Sequence, residues 1–62
     1  MIKEQVDYIK ESIASYDELI RINNDLGYQA SKEDDMCKSC FYFGKVSAYQ
    51  DEKIVFENLL KI

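Results

Sequence analysis

The sequence predicts an all-α protein, a two-helix antiparallel hairpin that dimerises into a four-helix bundle, and three observations lead there. Residues 2–26 repeat their apolar side chains at helical spacing, a glycine followed by capping residues interrupts the pattern, and residues 32–61 contain no proline. The whole of 1–62 reads as one domain: a helix over about 2–26, a turn over about 27–31 and a helix over about 32–61.

The first helix carries the clearest pattern. Ile2, Val6, Ile9, Ile13, Tyr16 and Ile20 stand at alternating gaps of four and three, an unbroken heptad seam on one face. Tyr8, Leu19, Ile22 and Leu26 widen the stripe on one flank, which suits a helix packed in a bundle better than a narrow two-stranded coil. Asp17 precedes Arg21 by four residues, the favourable order for an exposed helical ion pair.

Gly27 follows Leu26 where the apolar pattern stops, the place for a left-handed glycine that ends a helix, with Tyr28 folding back over Ile22 or Asn23. Ser31, Lys32, Glu33 and Asp34 then resemble a capping box, with Asp in place of the preferred Glu. Glu33, Asp34 and Asp35 set negative charge against the positive end of the next helix.

In the second helix the primary apolar face is expected to run through Cys37, Phe41, Gly44, Ala48, Val55, Leu59 and Ile62. A second stripe of Tyr42, Tyr49, Phe56 and Leu60 lies beside it, with Val46 at its edge, more than one partner helix can cover. The shared phase favours a helix continuous through Gly44, with small residues at 44, 47 and 48 allowing close backbone approach. A break near Gly44, giving three helices, is the alternative.

Composition narrows the function. A chain of 62 residues buries roughly 60% of its unfolded surface, too little for an ordinary enzyme cleft and marginal without a disulfide, a metal or a second copy. The net charge of -4, with the eight basic residues scattered singly, argues against nucleic-acid binding. The N-terminal residues form neither a signal peptide nor a membrane span, so a cytoplasmic location with reduced thiols is expected. With no histidine, the usual base for a Ser or Cys nucleophile is missing.

Cys37-Lys38-Ser39-Cys40 is the one motif with chemical reach. A redox pair of the thioredoxin type needs a strand beside the helix start, and none is expected here. A structural zinc needs four ligands, which two chains supply only by pooling their thiolates, in that limited sense similar to the zinc hooks of coiled-coil tips. The plain reading keeps Cys37 as a small core residue and Cys40 as its partly buried neighbour, with no cofactor. Phe41 is assigned to the core, whereas Tyr42, Tyr49, Phe56 and Leu60 are the candidate dimer or partner-binding residues.

In architecture the hairpin resembles the plasmid RNA-modulator family, whose two copies form a four-helix bundle; the residues differ and no function is carried over. Ser47-Ala48-Tyr49-Gln50-Asp51 is similar in its SxxxD spacing to the small hairpin phosphatases of sporulation phosphorelays, which implies Asp51 as the residue their activity would need. The expectation taken forward is a small non-enzymatic regulator, inhibitor or adaptor, bacterial or phage, that binds another protein. A zinc-pinned or structural dimerisation module and a phosphorelay phosphatase are the alternatives.

Overall fold

The computed structural model describes residues 1–61, which form two long helices, α1 (Lys3–Lys32) and α2 (Met36–Leu60), joined by a turn of three residues. The helices pack side by side along their length into a rod of 48 × 14 × 11 Å. No helix is long and apolar enough to cross a membrane among the described residues.

The heptad seam of α1 reaches further than its apolar residues announce. From Val6, Ile9, Ile13, Tyr16 and Ile20 the same four-three rhythm continues through Asn23, Gly27 and Ala30, the last three buried. Asn23 is tolerated there because its Nδ2 donates to the Leu19 carbonyl oxygen at 2.8 Å, so burial leaves the amide partnered. At the other end, the Gln5 side chain accepts from the Ile2 backbone N–H at 3.2 Å and satisfies one of the free donors of the first turn.

Gly27 is therefore not the terminator that the sequence suggests. It sits inside α1 with an ordinary helical backbone, and a Cβ placed on it would stand 2.9 Å from the Phe43 ring of α2. Its role is close approach. Gly44, expected to provide that, has open space where its Cβ would be.

The residue that reverses the chain is Asp34, whose φ of 58° lies in the left-handed region. Around it the Asp35 N–H donates to the Ala30 carbonyl at 2.9 Å and the Asp34 N–H to that of Ser31 at 3.1 Å, the paired bonds of a Schellman ending. Asp35 then caps α2, its Oδ1 accepting from the Lys38 N–H at 3.1 Å. The turn thus occupies 33–35 in place of 27–31, and Ser31, read as the start of a capping box, belongs to the last turn of α1.

The face of α2 turned to α1 also differs from expectation. Ser39, Tyr42, Val46, Tyr49, Lys53 and Phe56 follow a four-three rhythm and are buried or half-buried. Cys37, Phe41, Gly44, Ala48, Val55 and Leu59, expected as the primary face, are all exposed, and Ile62 lies outside the described residues. The helix does run unbroken through Gly44. Choosing the core by apolarity alone picked the wrong phase, because the packed phase admits Ser39 beside the close-packed turn and Lys53 in an ion pair.

That ion pair joins the helices: Lys53 Nζ stands 2.5 Å from Asp17 Oδ1 on α1 and 3.7 Å from Glu57 Oε1 on its own helix. The hydrogen bond to Asp17 raises the Lys53 pKa above its ordinary value. A charged residue at a seam position is tolerated in only a few registers, so it helps to fix how α1 and α2 align.

Candidate functional site

The candidate site is assembled from what the seam leaves over. In an antiparallel helix pair, the residue before each seam position falls on the same side of both helices, and the residue after it falls on the other side. The two sides of this hairpin are unlike.

On the first side α1 presents Tyr8, Leu19, Ile22 and Leu26, separated by Ser12 and Ser15, while α2 presents Phe41, Ala48, Val55 and Leu59, separated by Lys45 and Glu52. Tyr8 and Leu59 line one groove together with Phe56, and Tyr8, Ser12, Ser15 and Leu19 line the next, which puts these residues on one continuous face. Tyr8 is 64% exposed, Phe41 57% and Val55 61%, while Leu19, Ile22, Leu26 and Leu59 are between 36% and 39% exposed.

The second side carries Asp7, Lys10, Asp17, Arg21 and Asn24 on α1 and Ser47, Gln50 and Glu57 on α2. Here Asp17, Gln50, Lys53 and Glu57 line a groove together with Ile20 and Ile54. Near the turn Tyr28 stands edge-on to Phe43, ring centres 5.2 Å apart. The outer back of α1 is an acidic ridge of Glu4, Glu11, Glu18 and Asp25, clamped by Arg21, which donates to Glu18 at 2.5 Å and to Asp25 at 3.3 Å. Those bonds hold the Glu18 pKa below its ordinary value but are fully exposed and add little to stability.

Two charged groups lie within the apolar face. Lys45 Nζ sits 4.6 Å from the centre of the Phe41 ring, an attraction between cation and π-face. The Glu52 carboxylate beside the Tyr16 hydroxyl, followed by burial, raises the Tyr16 pKa above its ordinary value.

The stripe that the sequence offered as a binding surface is used within the chain. Tyr16 of α1 packs between Tyr49 and Phe56 of α2, with ring centres 6.1 and 5.7 Å away, and Tyr42 is half-buried on the same seam. Leu60, at the end of that seam, is exposed. Phe41, assigned to the core, is instead a member of the exposed face.

Cys37 and Cys40 are free and exposed in the first turns of α2, so Cys37 is not the small core residue anticipated. Among the described residues no group of three or more potential metal-ligating side chains comes together. Ser47 and Asp51 of the SxxxD spacing are both exposed and line none of the apolar face's grooves. Sequence reasoning missed Ile22, Leu26, Phe41, Val55 and Leu59 as one surface; the signal was present as the flanking stripe of α1, but its match on α2 required knowing which phase of α2 is packed.

No protein-family model, curated protein or solved structure matches the chain.

Proposed function

We propose that this chain is a small non-enzymatic regulator or adaptor that works by binding protein, through the broad face formed by Tyr8, Leu19, Ile22 and Leu26 of α1 and Phe41, Ala48, Val55 and Leu59 of α2. Pairing of two hairpins into a four-helix bundle through this face is part of the same reading. The observation that carries it is that α2 holds large apolar side chains on two faces: Tyr42, Val46, Tyr49 and Phe56 are packed against α1, while Phe41, Val55 and Leu59 are left exposed beside the exposed stripe of α1. One hairpin partner covers only the first of these faces.

The surface area supports this. The chain exposes 4688 Å², against about 4,200 Å² for a compact monomer of its mass by the usual scaling. Among the described residues only Ile9, Ala30 and Val46 are buried apolar side chains, and none is completely enclosed. A two-helix unit with so little core gains its stability by covering more surface.

Leu19→Glu together with Ile22→Glu tests the reading, since both side chains lie on the face and outside the seam. The expected outcome is loss of protein binding, self-association included, with the far-ultraviolet circular dichroism of the helices retained where a stabilising co-solvent compensates the lost association. Unchanged binding by this variant would contradict the assignment of the face.

A further inference from the structure

Resting on the reading of this face as a protein-binding surface, we infer that a second copy of the chain covers it, packed with the two turns at opposite ends of the bundle. The argument is one of self-complementarity. A two-fold axis permits two ways of stacking hairpins face to face: turns together, with α1 over the partner's α2, or turns apart, with α1 over α1 and α2 over α2, every neighbouring pair antiparallel in both cases.

The flanking stripe of α2 reads Phe41, Lys45, Ala48, Glu52, Val55, and it is symmetric in chemistry about Ala48. With the turns apart and the axis at Ala48, Lys45 meets the Glu52 of the second copy, Phe41 meets Val55, and the small Ala48 side chains let the helices approach. With the turns together, α2 lies over the α1 of the second copy, so Lys45 faces Ile22 and Leu26 and Glu52 faces Ser15 and Leu19, with no opposite charge to meet. The first arrangement pairs opposite charges twice, the second leaves all four charges without a partner.

The level of the axis on α1 follows from contacts already fixed within the hairpin. Asp17 pairs with Lys53, and Gly27 lies against Phe43, so Ala48 stands at the height of about residue 22 of α1. Ile22 stands at that height, with Leu19 and Leu26 on either side of it. Across the axis Ile22 therefore meets the Ile22 of the second copy and Leu19 meets its Leu26, and the centre of the interface is apolar on both helices. The charge pair and the apolar centre demand the same axis, although they lie on different helices.

One consequence concerns the cysteines. With the turns at opposite ends, Cys37 and Cys40 of the two copies stand far apart, so four thiolates cannot gather around one metal ion within the dimer.

A single thiol on the flank of the face provides the ruler. In the full chain carrying Cys37→Ser, Cys40→Ser and Lys38→Cys, a nitroxide attached at residue 38 reports the distance between copies by double electron–electron resonance. Residue 38 lies ten residues from Ala48 on the same flank of α2. At about 1.5 Å per residue the two labels should be roughly 30 Å apart along the bundle. A distance under about 20 Å would place the turns together and overturn the orientation while leaving self-association standing. Absence of any dipolar signal, with sedimentation confirming a monomer, would overturn the second copy as the occupant and leave binding of a different protein as the reading. The charge pairing has its own check: Lys45→Glu and Glu52→Lys should each weaken dimerisation about tenfold, because symmetry repeats every substitution, and the double exchange should recover most of that loss. Failure of the double exchange to recover affinity would remove Lys45 and Glu52 as the orienting pair.

Discussion

At Asp34 the chain accepts a left-handed backbone that most L-residues avoid, and an aspartate tolerates it better than a larger side chain would. Glycine would adopt it without cost, so Asp34→Gly should stabilise the hairpin by about 0.5–1 kcal/mol in urea denaturation. The neighbouring cap behaves oppositely: Asp35→Ala removes the acceptor of the Lys38 N–H and should cost about 1 kcal/mol, whereas Ser31→Ala should change little. If Ser31 proved the costly position, the turn would lie earlier than 33–35. A second residue-scale expectation concerns Tyr16, for which the nearby Glu52 carboxylate favours the neutral phenol. A folded pKa raised above the unfolded value of 10.0 means that this contribution is complete below pH 10.0 and is lost as pH climbs through the raised value. Carbon NMR of labelled tyrosine should follow Tyr16 titrating above 10.0, and Glu52→Ala should bring its midpoint down.

At the scale of the helices, the two glycines separate propensity from packing. Replacing either by alanine gains about 1 kcal/mol of helix propensity. Gly44→Ala, in open space, should stabilise the fold by about that amount and raise the melting temperature; Gly27→Ala drives a methyl group to 2.9 Å from the Phe43 ring and should forfeit the gain or destabilise. Equal effects at the two positions would mean that α1 and α2 do not approach at Gly27. The same pair shows what could be read from the residues. Two helices, their antiparallel pairing and the continuity of α2 through Gly44 were legible, because apolar periodicity reports helix phase directly. The turn was not, since Gly27 after Leu26 has the form of a helix terminator and only the ring across from it shows otherwise. The seam beyond Ile20 was hidden as well: Asn23, Gly27 and Ala30 keep the heptad rhythm with one polar and two small side chains. On α2 the exposed stripe was the easier to see and the easier to misplace, because apolarity alone does not say whether a stripe meets its own hairpin or lies outside it.

For the whole molecule, the seam residues hold the hairpin together, and the exposed apolar residues are proposed to meet a second molecule. Seam substitutions should unfold the chain. Ile13→Asp puts a carboxylate between the helices and should cost several kcal/mol, and Tyr16→Ala removes a ring that touches two others, so both should lower the melting temperature sharply. Face substitutions should act through concentration, because covering the face is a binding equilibrium and its loss destabilises by mass action. The sharpest test of that division is sedimentation equilibrium of the unmodified chain at micromolar concentration beside the Leu19→Glu, Ile22→Glu variant. The account predicts a species of twice the 7.3 kDa chain mass for the first and the chain mass for the second. An unmodified chain that remains at 7.3 kDa with full helicity and a melting temperature independent of concentration would contradict it.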